Sequence, residues 1–236
     1  MASAQVFELP DVEFGTVLIR CNPRARRVIL RVKHDASVHI TVPHKRHLPA
    51  AQKLLNDARG RIRVQREELT QSAPNYAPGA MVGRSHQLVF RAQPEGPITT
   101  RVSENQIIVK YPFALSPEDE QVQQKVRVAV KKALRRQAGD FLPQRLAHLA
   151  HQWGLTYKEV HITSGSTRWG SCSSDNTINL NLSLMTLPDY LVDYVICHEL
   201  CHTIQHNHSD RFWELVANLM PEWKAIRKEL KDQYTF

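Results

Sequence analysis

Five consecutive residues, His198-Glu199-Leu200-Cys201-His202, restrict this chain more than any other stretch. On a helix, positions i and i+4 lie one turn apart on one face, so His198 and His202 can share a metal ion with Glu199 beside it. The surroundings favour that helix. Pro188 and Asp189 form a start signal, Leu191, Val195, Leu200 and Ile204 recur at helical spacing, and Asn207 is a stop signal. Two imidazoles with an adjacent carboxylate are the donor set of a zinc-hydrolase site, in which the metal acidifies water and the carboxylate takes its proton.

A catalytic zinc takes three protein ligands and keeps a fourth position open. His206 and His208 compete for the third place. His206 continues the row begun by His198 and His202, but at about 1.5 Å of rise per residue roughly 12 Å of helix axis separates His198 from His206. Bonds of roughly 2 Å cannot bring both ends of that row to one ion. The third ligand is therefore expected beyond the helix end, where the chain turns back at Asn207, and His208 is the first choice. Glu214 and Glu222 are the alternatives. The spacing also follows the pattern H-E-x-x-H-x-x-G-x-x-H, with Gln205 in the place of its glycine.

A chain of 236 residues can bury a sizeable core in one large or two small domains. The expected division is a β-rich basic module with one helix over residues 1–115 and a metal-dependent hydrolase domain over 116–236. No apolar run is long enough to span a bilayer, and MASAQVFELPDVEF lacks the basic-then-apolar order of a secretory signal. A cytoplasmic location without a membrane partner is the expectation. Cys21, Cys172, Cys197 and Cys201 have no spacing of a disulfide framework or zinc ribbon and read as free thiols.

The net charge of +8 is uneven: residues 1–115 hold 17 Lys and Arg against 9 Asp and Glu, and the remainder holds 14 of each. Such an excess attracts an acidic partner, nucleic acid or nucleotide, or serves only as a solvated surface. No nucleic-acid-binding motif accompanies it.

Strands are expected over 12–21, 26–32 and 37–42, with a tight connection at His34-Asp35-Ala36. A helix follows over 49–69, weakened by Gly60, then a loop over 71–85 and strands over 86–92, 98–103 and 106–112. Ser116-Pro117-Glu118-Asp119-Glu120 opens a long helix that runs to about Trp153 before Gly154, with an interruption near Gly139 or Pro143. Lys131, Lys132, Arg135 and Arg136 on it read as a solvated face. Strands over 158–163, 168–173 and 177–184 lead into the motif helix, which suggests a sheet packed against it whose edge can align an extended peptide. Asn179 and Asn181 share one face of the last strand and are candidates to line a cleft. Ser209 caps a helix from Asp210 to about Leu219, and Pro221 opens a final one.

Arg168-Trp169-Gly170-Ser171-Cys172, the strand INLNLSL, the run from Tyr194 to His202, and Asn207-His208-Ser209 with Phe212-Trp213 resemble the YgjP-like metal-dependent hydrolases, a group similar to the SprT-like and minimal zincin peptidases. The densest match covers residues 160–215. The resemblance implies an α+β fold: a β-rich front module followed by a zincin-like metallopeptidase domain with its active-site helix on a small sheet. It also implies His198, His202 and His208 as ligands of one zinc ion per chain and Glu199 as base. Two positions depart from the pattern, Ala36-Ser37 in place of a hairpin glycine and Arg61-Ile62 without a Trp.

The leading expectation is a zinc-dependent peptidase acting on protein or peptide. Arg168, Tyr194 and the amides of Gly170 or Ser171 are candidate oxyanion donors. One alternative keeps the metal and cleaves a phosphoanhydride, as a nucleoside triphosphate pyrophosphatase would. Another makes the zinc structural in a nucleic-acid-binding protein.

Overall fold

Strict alternation of inward Val38, Ile40 and Val42 with outward His39 and Thr41 makes residues Val38–Val42 a central strand (β4). The computed structural model describes residues 5–33, 36–72 and 74–234. β4 lies in a sheet with β1 (Val6–Asp11), β2 (Gly15–Cys21) and β3 (Ile29–Val32), in the order β1-β2-β4-β3. β1 and β2 form one hairpin, β3 pairs antiparallel with β4, and the inner strands β2 and β4 run parallel. Helices α1 (Leu48–Asp57) and α2 (Arg59–Ser72) supply Ala51, Leu55 and Ile62 to its core.

The second sheet repeats this arrangement, which the sequence reading did not detect. β5 (Met81–Val82), β6 (His86–Gln93), β7 (Thr99–Val102) and β8 (Gln106–Pro112) take the order β5-β6-β8-β7, with the inner pair again parallel. Arg31-Val32 and Arg101-Val102 occupy equivalent ends of the third strand in each sheet, and Pro43 and Pro112 close the fourth.

The helix α3 (Glu120–Trp153) presents Val122, Val126, Ala129, Ala133, Leu142, Leu146 and Leu149 as one buried stripe. It packs against β7 and β8, and also against β9 (Glu159–Thr163) and α4 (Asp189–Cys201). β10 (Gly170–Cys172) and β11 (Thr177–Asn181) complete a third sheet of order β10-β11-β9. α4 is buried nearly all round by α3, this sheet, α5 (Asp210–Leu219) and α6 (Trp223–Gln233). Arg145 of α3 fixes it with two bonds to Asp193, at 2.7 and 2.6 Å. The fold is α+β, with the motif helix on a small sheet as expected. No described helix is long and apolar enough to cross a membrane.

The compact units are Met1–Asn75 and Tyr76–Phe236, so residues 76–115, assigned to the front module by sequence, belong with the second unit. The reason is α3: Leu88, Ile107 and Val109 share a core with its buried stripe. The first unit keeps 13 Lys and Arg against 7 Asp and Glu.

Several boundaries differ for local reasons. Val12–Phe14 form a turn rather than the start of a strand, because Asp11 accepts the amides of Glu13 and Phe14 at 3.0 Å each. The helix over 49–69 is two helices broken at Ala58. α3 begins at Glu120, not Ser116: the Asp119 carboxylate accepts the Ser116 amide at 2.6 Å, and the buried Gln123 amide donates to the Pro117 carbonyl at 2.7 Å, closing a separate turn. No interruption occurs at Gly139 or Pro143. Pro143 deprives the Gly139 carbonyl of its partner, but Gly139 is exposed and without a side chain, so water can reach that oxygen. Of the connection His34-Asp35-Ala36, only Ala36 is described, with φ +58°; His34 and Asp35 lie outside the described residues.

Candidate metal centre

The sequence places the end of the motif helix at Asn207, but α4 stops at Cys201. The amides of Ile204 and Gln205 return to the Cys201 carbonyl, at 3.1 and 2.9 Å, and this turn redirects the chain. Two consequences follow. The Gln205 carbonyl reaches His202 and accepts a hydrogen bond from Nδ1 at 3.0 Å, which leaves Nε2 as the free lone pair. The chain then brings His208 back over the helix.

The Nε2 atoms of His198, His202 and His208 converge: 3.2 Å separates the first from the second, 3.0 Å the first from the third, and 3.2 Å the second from the third. Among the described residues, these three form the cluster of His, Cys, Asp or Glu side chains with donor atoms close enough to hold an ion. His206, Glu214 and Glu222 do not join it. Three convergent imidazole nitrogens, one of them oriented from behind by a carbonyl, fit a divalent metal of borderline softness.

Aromatic rings hold the imidazoles in place. Phe212 stacks on His202 at 4.4 Å between centroids, and Trp213 stacks on His208 at 5.6 Å. Trp213 in turn lies on Trp223 at 4.5 Å, joining α5 to α6. Burial, then the neighbouring imidazoles, push His198 down to about 3, so its nitrogen is unprotonated and available as a ligand.

Glu199 is 5% exposed on a helix most of whose other buried residues are apolar. Burial raises its carboxyl to about 8, against the opposing pull of Arg168 and of a hydrogen bond from the Cys172 amide. The backbone of β10 lies directly on this side chain. A Cβ at Gly170 would stand 2.6 Å from Glu199 Oε1 and 2.8 Å from its Cγ, so this position has room for glycine alone.

A cavity of about 670 Å³ opens beside His198 and Glu199. α4 contributes Tyr194 and Val195 to its wall, the segment before β10 contributes Ser166, Thr167, Arg168 and Trp169, α6 contributes Arg227, Leu230 and Lys231, and Tyr234 follows just past its end. Arg168 and Tyr194, singled out from the sequence, therefore face the cavity with His198 and Glu199. Burial raises the Tyr194 hydroxyl to about 12, which keeps it a hydrogen-bond donor.

Asn179 and Asn181 do not line it. Asn181 is 1% exposed, and its amide donates to the carbonyls of Gly165 at 2.6 Å and Arg168 at 3.1 Å while its oxygen accepts the Ser183 amide. It holds the segment that carries Arg168. Asn179 faces Ser171 across the β10–β11 ladder, at 3.4 Å. The thiols Cys197 and Cys201 are buried and hydrogen-bond to each other, which raises Cys197 and lowers Cys201, and burial raises Cys172 to about 11, so Cys172 and Cys197 remain thiols.

The sequence reading missed the α6 wall. Its signal was present, since Arg227, Leu230, Lys231 and Tyr234 are spaced i, i+3, i+4, i+7, but nothing in that spacing says which element the face meets.

Residues 26–233 match the family described as YgjP-like, metallopeptidase domain. Among solved structures, the chain is similar to the metallopeptidase zymogen of Pyrococcus abyssi abylysin, 26% identical over 41% of this chain and 99% of that one, with a TM-score of 0.35. It is also similar to the metallopeptidase zymogen of Methanocaldococcus jannaschii jannalysin, 19% identical over 39% of this chain and 94% of that one, with a TM-score of 0.35. No curated protein matches it.

Proposed function

The chain belongs to the YgjP-like metallopeptidase family, and from that premise we propose that it is a zinc-dependent peptidase whose ion is held by His198, His202 and His208 and whose catalytic base is Glu199. The observation that carries this reading is the convergence of three Nε2 atoms within 3.2 Å of one another, with a buried carboxylate on the adjoining residue. A divalent ion at such a site supplies Lewis acidity, polarising a carbonyl and acidifying water.

The chain's own groups do the rest. The charged form of Glu199 is favoured by a divalent ion held beside it, which offsets the burial that raises the carboxyl to about 8. So ionised, Glu199 accepts the proton of the attacking water on a carboxylate oxygen and hands it to the departing amine nitrogen. Glu199 and His198 line the same cavity, so water, scissile carbonyl and base meet there. Tyr194, kept protonated by burial, and Arg168 are the side-chain donors facing the oxygen that becomes negative in the transition state. The peptide lies along β10, an edge strand of its sheet whose first residue, Gly170, lines the cavity. Main-chain groups on that edge can pair with an extended substrate.

The test is metal analysis of the purified protein with cleavage assays on unstructured protein. One zinc per chain is expected, with cleavage abolished in Glu199→Gln while zinc remains. His208→Ala is expected to weaken zinc binding by more than the roughly 10–100-fold that loss of an outer-sphere partner costs. Full zinc binding by that variant would refute the ligand set.

A further inference from the structure

The cavity beside Glu199 carries more positive charge than hydrolysis of a neutral amide requires. α6 turns Arg227 and Lys231 toward it, one helical turn apart, and Arg168 reaches it from the segment before β10. Among the described residues, no carboxylate pairs with any of the three. Three acids of α4 and α6 are engaged elsewhere: Glu229 accepts the Tyr190 hydroxyl, Asp193 holds Arg145, and Asp189 holds Arg84. Glu199 is the sole carboxylate on the cavity wall among the described residues, and its part is proton transfer.

Arg227 is oriented without being neutralised. Its guanidinium lies 4.9 Å from the centroid of the Trp213 ring, the ring that stacks on His208. Its charge is felt by both His198 and Tyr194, as that of Arg168 is felt by Glu199. Unpaired cations of one sign around a single cleft focus a positive potential and favour an anionic entrant.

We infer that the α6 wall, through Arg227 and Lys231, is a subsite for a carboxylate on the substrate: an aspartate or glutamate side chain in the residues flanking the scissile bond. The inference rests on the peptidase reading, in which the substrate is an extended peptide along β10. Among unmodified side chains, the carboxylates of aspartate and glutamate are the anionic groups such a chain brings at neutral pH.

The test uses zinc-loaded full-length protein and matched fluorogenic peptides carrying Glu, Gln or Lys at each position flanking the cleaved bond, with KM and kcat read separately. The best Glu peptide is expected to show a KM about 10-fold below its Gln counterpart, an advantage that shrinks as salt rises. Lys231→Gln, which leaves the Trp213 stack untouched, reduces the advantage. Arg227→Gln with Lys231→Gln removes it, and Arg227→Glu with Lys231→Glu turns the preference toward Lys. The binding preference is read independently of turnover by fluorescence anisotropy with Glu199→Gln protein, where the same Glu-over-Gln ratio is expected. Cleavage of Glu and Gln peptides with equal KM at low salt would overturn the subsite and leave the peptidase standing. Glu199-dependent turnover of a nucleoside triphosphate, with no cleavage of any peptide, would overturn the peptidase reading and the peptide subsite with it.

Discussion

Gly170 shows how much one missing side chain decides at this site. The strand backbone lies against the Glu199 carboxylate, and an added methyl would meet Oε1, Cγ and Cδ, all within 3.0 Å. That carboxylate is enclosed, so it cannot simply swing away. Gly170→Ala is expected to retain zinc, because the three imidazoles are untouched, while kcat falls about 100-fold from misplacement of the base. Zinc content and steady-state kinetics on the same preparation check both halves. The pairing of His198 with His202 beside Glu199 was legible in the sequence because H-E-x-x-H spacing is a local property of a helix, whereas His206 stands apart because α4 stops at Cys201 and not because of the rise along a continuing helix. The place of Gly170 was not legible, since only the packing of β10 on α4 puts a carboxylate where its Cβ would be.

At the level of elements, the hairpin β1–β2 and the helix α2 are joined through one buried carboxylate. Asp11 caps the hairpin turn and accepts Arg59 at 2.5 Å, and Arg59 also reaches Glu13 at 3.0 Å. The hydrogen bond from Arg59 holds the Asp11 carboxyl below its ordinary value of 3.8. Because the folded value lies below the unfolded one, Asp11 contributes stability above its unfolded pKa, and that contribution fades as pH falls toward the folded value. Urea denaturation is expected to find Asp11→Asn less stable than wild type at neutral pH, with the difference narrowing as pH drops below 3.8. A difference independent of pH would argue against the carboxylate as its source. Pro143 offers a second case. It sits within α3 and leaves one carbonyl unbonded, so Pro143→Ala is expected to raise stability by about 1–3 kcal/mol in the same assay. The helix pattern was legible around Pro143, but its continuity depends on the buried stripe on both sides, which a local rule about proline does not weigh.

On the scale of the molecule, the chain is two compact units, and all three imidazoles, Glu199 and the cavity wall lie in the second. That unit has its own continuous core from Val82 to Leu230. Residues 76–236 expressed alone are therefore expected to unfold cooperatively and to keep zinc, whereas a fragment beginning at residue 116, where the sequence suggested a boundary, would expose the stripe of α3 that covers β7 and β8 and is expected to aggregate. Thermal unfolding and metal analysis of the two fragments distinguish these outcomes. The first unit holds most of the excess positive charge; if it serves an acidic partner, salt-sensitive binding to nucleic acid should follow residues 1–75 rather than the zinc-binding fragment. What the sequence determined by itself was whatever depends on neighbours in the chain: the alternation of β4, the spacing of His198 and His202, the span of α5, although Ser209 makes no side-chain cap bond there. Tertiary structure alone decided the early stop of α4 that returns His208, the allotment of residues 76–115 to the site-bearing unit, and the turning of α6 so that Arg227 and Lys231 face the cavity. Each of these depends on which surfaces bury one another, and burial is a property of packed elements that no stretch of residues carries on its own.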